Sequence, residues 1–267
     1  MNEFDYHAPD RIDEALAMLA DNHEAKALAG GMTLIPTMKQ RLAAPSDLVD
    51  LGGIRELIGI CEDADRIVVG AMTTHASVAE SSLIQRDLPA LAALAHGIGH
   101  AQVRHRGTLG GSIANNDPAA DYPAALLALE AVVKTDRREI PAAAFFTGMF
   151  ETALADDELV VAVTFPRCRD AAYAKFPNPA SKYAMAGVFV VRDRGEVRVA
   201  VTGAAACVFR HEALERALQR RFEPVAIEHV DIDSTEFNED LHASAAYRGQ
   251  LVRVMAMRAV EQIQTRD

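Results

Sequence analysis

Apolar positions recur along the chain with two spacings, one helical and one alternating, and the changes between them mark out its elements. Ile12, Ala15, Leu16 and Leu19 fall three or four apart, which predicts a helix over Arg11 to Asp21 with Asp10 as its N-cap. Lys26 to Ala29 reads as a short strand running into Gly30 and Gly31. Thr33 to Arg41 reads as helical, with Pro36 confining regular helix to a first turn. Ser46 to Leu51 is a further strand, so the opening segment is expected to form a small βαβ unit.

A second unit is expected from about residue 60. Asp65 to Gly70 is a strand, Thr74 to Glu80 begins a helix, and Leu88 to Ala95 is a strongly apolar helix. The densest glycine region follows, with Gly97, Gly99, Gly107, Gly110 and Gly111. Tyr122 to Glu130 is apolar on all sides and reads as buried; Glu130 to Lys134 and Glu158 to Phe165 read as strands. Pro166, Pro177 and Pro179 cluster with polar residues, which places a unit boundary between Pro166 and Ser181. Beyond it, Gly187 to Arg192 and Val197 to Gly203 predict a hairpin turning through Asp193-Arg194-Gly195-Glu196. His211 to Arg220 and Ala243 to Gln264 are helical, giving a small α+β unit.

Composition narrows the function. With 267 residues, 50% apolar and 24% charged, the chain is long enough for two buried units. A formal charge of −11 argues against a general nucleic-acid binder, which needs a basic face to displace counterions from phosphates. No apolar run is long enough to span a membrane, and the acidic N-terminus lacks the apolar core of a signal peptide, so a cytoplasmic location is expected. Cys61, Cys168 and Cys207 are too dispersed for a zinc or iron–sulfur site, so any metal centre this chain serves is expected on another chain.

Two glycine pairs carry the chemistry. Ala29-Gly30-Gly31-Met32-Thr33 follows a strand, and Thr108-Leu109-Gly110-Gly111-Ser112 flanks its glycines with hydroxyls. A diphosphate is best held by several backbone N–H groups at once, and glycines clear the side chains that would block its approach. A helix starting after such a turn adds a favourable dipole. Neither segment is a P-loop or a Rossmann G-x-G-x-x-G. Asp121, farther on, is a candidate acceptor for ribose or adenine, and equally a candidate N-cap for Tyr122-Pro123-Ala124. Two such loops about eighty residues apart suit an extended dinucleotide lying between two subdomains.

Five segments resemble the FAD-binding subunits of the xanthine dehydrogenase and carbon monoxide dehydrogenase family: Ala29 to Leu42, Val69 to His75, Ile98 to Pro123, Phe176 to Ala184 and Ser244 to Val252. The Ile98 to Pro123 stretch is the most specific. The resemblance implies an α+β protein, with a vanillyl-alcohol-oxidase-type FAD-binding domain of two α/β subdomains (1–59 and 60–170) followed by a small α+β C-terminal domain (171–267). It implies noncovalent FAD, its diphosphate wrapped by Ala29, Gly30, Gly31, Met32 and Thr33 and by Thr108, Leu109, Gly110, Gly111 and Ser112. Asp121 would contact the cofactor, and Tyr183 would lie near the isoalloxazine unless it packs in the core. Met32, His105 and Lys182 depart from the family pattern; Lys182 keeps a positive charge without arginine's two-pronged fork.

The implied function is electron relay within a molybdenum hydroxylase. A large subunit would carry molybdopterin and a small one two [2Fe–2S] clusters, in a heterotrimer or its dimer. No nucleophile or acid–base pair of this chain's own is expected to be catalytic. Two other readings remain open on the sequence: a stand-alone flavin oxidase or reductase, and a nucleotide-binding scaffold without redox activity.

Overall fold

A computed structural model of the chain describes residues 1–265. The opening unit is a three-stranded parallel sheet of β1 (Asp5–His7), β2 (Lys26–Leu28) and β3 (Asp47–Asp50) in the order β1-β3-β2. Helix α1 (Ile12–Asp21) buries Ala15 and Leu19, as their spacing requires. The residue before it is Arg11, whose side chain makes no cap bond, so the expected cap at Asp10 is not formed; Asp13 and Glu14 in the first turn favour the helix dipole instead. Helix α2 (Leu34–Lys39) is only six residues long and holds Pro36 in its first turn, as expected.

The middle unit is a five-stranded antiparallel sheet flanked by short helices. It runs β4 (Ile60–Asp63), β5 (Arg66–Gly70), α3 (His75–Glu80), α4 (Ser82–Asp87), α5 (Pro89–His96), α6 (Ala101–Arg104), α7 (Leu109–Asn115), α8 (Tyr122–Ala128), β6 (Val132–Thr135), β7 (Glu139–Pro141), α9 (Ala142–Phe145), a small hairpin of β8 (Phe146–Gly148) and β9 (Glu151–Thr152), then β10 (Val160–Pro166). The strand order is β4-β5-β10-β6-β7. Helix α8 is buried in full, which explains an apolar stretch with no polar face.

A second antiparallel sheet, β11 (Ala171–Pro177), β12 (Ala184–Asp193), β13 (Glu196–Thr202) and β14 (Phe209–Arg210), carries α10 (Glu212–Arg220) and α11 (Ala245–Gln264). The β12–β13 turn is Arg194-Gly195, both with positive φ, the conformation a two-residue hairpin needs. Strand β12 is apolar at nearly every position because both its faces are covered. Ala186, Val188 and Val190 pack toward α10 and α11, while Phe189 and Val191 join the core of the middle unit. Strand β11 lies inside the stretch expected to hold a unit boundary. It is an edge strand, and Pro177 ends it where the sheet needs no further N–H. The last two residues of the expected C-terminal domain, 266 and 267, lie outside the described residues. Among the described residues no helix is long and apolar enough to cross a membrane.

Candidate cofactor site

The three units meet around a cavity of about 800 Å³. Ala29, Gly30, Gly31, Met32 and Thr33 line it from the opening unit; Thr108, Gly110, Gly111, Ser112 and Asp121 line it from the middle unit; and Tyr183 lines it from the β11–β12 loop. Leu109 does not reach it: its side chain is fully buried in the middle core and its N–H donates to the Thr73 carbonyl at 3.0 Å.

The two glycine segments come together, but with different duties. Between β2 and α2, the N–H groups of Gly30, Gly31, Met32 and Thr33 have no hydrogen-bond partner among the described residues. Gly31 has φ +70°, so this turn passes through the left-handed region, and successive N–H groups in such a turn form a concave site for an anion. A Cβ at Gly31 would be strained in any surroundings.

At the second segment the amides are already used. Gly110 N–H donates to the Ala71 carbonyl at 2.8 Å, Gly111 N–H to Thr108 Oγ1 at 3.1 Å, and Ser112 N–H to the Thr108 carbonyl at 3.0 Å. The expectation that both glycine pairs offer free amides therefore fails for the second pair. Its glycines serve close packing. A Cβ on Gly110 would lie 2.6 Å from Ala71 Cβ, and one on Gly111 would lie 3.0 Å from Ala29 Cβ. What this segment can still offer is the hydroxyls of Thr108 and Ser112; Thr108 Oγ1 accepts from Gly111 and keeps its own proton to donate.

Asp121 is 5% exposed; it stands at the N-cap position of α8, as its sequence allowed, but its side chain makes no cap bond there. Its oxygens accept from Tyr173 Oη at 2.5 Å and Lys175 Nζ at 2.9 Å. Burial raises its carboxyl pKa, an effect that Lys175 and Tyr173 oppose. Lys175 Nζ also donates to the Lys182 carbonyl at 3.0 Å, so the ion pair anchors the segment that presents Tyr183. Tyr173 and Lys175 went unnoticed in the sequence because they lie on β11, within the stretch read there as a unit boundary. Tyr183 is not packed in the core. Its ring is partly exposed on the cavity wall, and burial pushes its hydroxyl to a higher pKa, an effect that the nearby Thr33 side chain opposes.

Two further residues at this site had been passed over. His75, the first residue of α3 after its Thr74 cap, is 4% exposed and lines the cavity, and its Nδ1 has no hydrogen-bond partner among the described residues. Burial lowers its pKa to about 4, with the Arg104 charge acting in the same direction, so the ring is neutral at pH 7. Asn116, which ends α7, reaches across to the β8–β9 hairpin. Neither sits in a recognisable spacing; both roles appear only when distant segments are brought together.

Residues 2–168 match the family described as the FAD binding domain in molybdopterin dehydrogenase. The chain belongs to this family. It is 36% identical to the carbon monoxide dehydrogenase medium chain of Hydrogenophaga pseudoflava over 274 residues, covering 96% of each chain. It is 35% identical to the nicotine 6-hydroxylase medium subunit of Paenarthrobacter nicotinovorans, over 96% of this chain and 95% of that one. The carbon monoxide dehydrogenase structure from Hydrogenophaga pseudoflava superposes with a TM-score of 0.88 at 35% identity, covering 99% of this chain and 98% of that chain. The chain is thus an FAD-binding oxidoreductase subunit of the molybdenum hydroxylases, with the α+β fold expected from its motifs. The residues present fit that cofactor: unpartnered amides in a left-handed turn suit a diphosphate, and the cavity has the size of a small-molecule site with aromatic rings on its wall.

Proposed function

We propose that the turn Gly30 to Thr33 holds the diphosphate of FAD through its backbone N–H groups, with Thr108 and Ser112 adding hydroxyl donors from the opposite side. In this reading Ala29, Gly110 and Gly111 keep the two segments close, and Leu109 anchors the second one in the core. Met32 contributes only its backbone. Asp121 acts through Lys175 to place Tyr183 beside a ring of the cofactor. The domain division follows the same reading, with an FAD-binding domain over 1–170, its subdomains meeting near residue 59, and a C-terminal domain over 171–267.

When bound, FAD accepts and releases electrons singly or in pairs, which suits it to join one-electron clusters to a two-electron acceptor. The chain's own part is to bind the cofactor, orient its rings and exclude water from them. The large partner would carry molybdopterin and the small partner [2Fe–2S] clusters, in a heterotrimer or its dimer in the cytoplasm; the name medium chain or medium subunit borne by the relatives supports such an assembly. The observation that carries this reading is the run of unpartnered amides on the cavity wall. Its test is titration of the flavin-free chain with FAD. One FAD per chain is expected, with binding weakened by Gly31→Ala, which strains the turn. Unchanged affinity in that variant would contradict the assignment.

A further inference from the structure

Phe150 has a backbone conformation that its surroundings must impose. Its φ is +57°, in the left-handed region, which residues with a Cβ disfavour. Burial does not compensate that conformation, since the residue is 56% exposed. Nor does the hairpin compensate it alone, since β8 and β9 together pair over only a few residues.

The compensation comes from Asn116. Phe150 N–H donates to the Asn116 carbonyl at 3.1 Å, and Asn116 Nδ2 donates to the carbonyls of Gly148 at 2.9 Å and Glu151 at 2.7 Å. Asn116 is buried and itself left-handed at φ +41°, a conformation asparagine tolerates better than most residues. One side chain thus grips the hairpin on both sides of its Met149-Phe150 tip. Asn116 is also the C-cap of α7, whose first turn is the Thr108 to Gly111 segment. A single seven-residue helix therefore fixes the second glycine segment at one end and the hairpin tip at the other. Phe150, so held, lines the cavity.

We infer that Asn116 is a positioning residue, which clamps the β8–β9 hairpin so that the Phe150 ring forms one wall of the cavity and stacks on a planar ring of the dinucleotide. The inference rests on the cofactor site proposed above. An exposed aromatic kept in a strained conformation gains nothing from the fold, and it gains contact area as soon as a flat ring enters beside it. Asparagine suits the clamp because its amide donates twice to two carbonyls, which a carboxylate does not do.

The test is a double-mutant cycle on the full chain, read by FAD affinity and by thermal unfolding without FAD. Phe150→Gly permits the left-handed backbone and removes the ring, so it should unfold at an equal or higher temperature while binding FAD about tenfold more weakly, the size expected from loss of one aromatic stack. Phe150→Tyr should bind as the parent does. Asn116→Gly keeps the left-handed backbone and drops the two amide bonds to the hairpin, together with a long contact of the same amide to Cys207 Sγ at 3.9 Å; it should weaken FAD binding severalfold. In Asn116→Gly/Phe150→Gly the loss should match that of Phe150→Gly alone, because the clamp acts through the ring. Titration with ADP and with FMN shows which ring is stacked, as the affinity of one and not the other should fall in Phe150→Gly. Parent-like FAD affinity in Phe150→Gly would overturn the inference, and so would losses that multiply in the double variant. A parent chain that binds no FAD would instead refute the site itself.

Discussion

Gly30 and Arg106 meet backbone to backbone: a Cβ built on Gly30 would lie 2.1 Å from the Arg106 carbonyl oxygen and 2.7 Å from Gly107 Cα. This contact closes the opening unit onto the middle unit at the edge of the cavity. No flexible side chain is there to yield, so one methyl group must push two segments of backbone apart.

Gly30→Ala should therefore lower the unfolding temperature and release FAD. Overpacking of this kind costs about 1–3 kcal/mol. Flavin absorbance of the purified variant and its thermal unfolding check both effects. Stable, fully yellow Gly30→Ala protein would show that the two segments separate without consequence.

Substitution at Gly110 tests something different. A Cβ there meets Ala71 Cβ and the Ala71 carbonyl, the same carbonyl that accepts from Gly110 N–H. Gly110→Val should disorder the middle unit as a whole, seen as loss of its cooperative unfolding transition. Loss of flavin in that variant says nothing specific about diphosphate binding. Variants of the first turn are the informative ones.

The buried imidazole of His75 makes stability depend on pH. Its pKa is about 4 in the folded chain against about 6.5 when unfolded, so between these values the unfolded chain binds more protons. Stability should fall as pH falls from about 6.5 toward 4, by on the order of 1 kcal/mol per pH unit at the steepest. His75→Gln should flatten that part of the profile in thermal unfolding measured from pH 4.5 to 7.5. An unchanged profile would mean that the ring is not desolvated.

Removing Lys175 should have the opposite pH signature. Lys175→Met leaves Asp121 buried without its cation, which costs about 3–5 kcal/mol when a buried pair is broken. The carboxyl pKa, already raised by burial, would rise further, so the protonated form is favoured in the folded state. The variant should then lose stability as pH rises above the ordinary carboxylate range, and Asp121→Asn should restore most of the loss. Equal destabilisation at pH 5 and pH 8 would argue against this charge balance.

Much of this fold can be read from the chain because its patterns are local. The Arg194-Gly195 turn between two apolar runs gives the β12–β13 hairpin, and the wholly apolar Tyr122 to Leu129 stretch gives a buried helix. The glycine segments and their hydroxyls are equally visible, and eleven of the twelve residues they and their neighbours suggested do line one cavity (all but Leu109). What stays hidden depends on partners far away in sequence. The carbonyls of Ala71 and Thr73 take up the amides of the second segment, a fact that no spacing reveals. Asp121 finds Tyr173 and Lys175 more than fifty residues on, in a strand masked by flanking prolines. Asn116 reaches a hairpin more than thirty residues away, and its asparagine looks like one more polar loop residue until the hairpin is in place.

The relay reading also separates this chain from a self-sufficient oxidase. With FAD bound, the purified chain alone should show no steady turnover of small organic donors, although dithionite should reduce it fully. Sustained turnover with such a donor would favour the oxidase reading.

The central claim concerns which backbone amides meet the diphosphate, and hydrogen exchange measured with and without FAD tests it most directly. Protection on adding FAD should appear at residues 30–33, whose amides have no partner among the described residues, while residues 109–111, already bonded internally, should change little. Protection confined to 109–111, with 30–33 exchanging freely in the loaded chain, would contradict it.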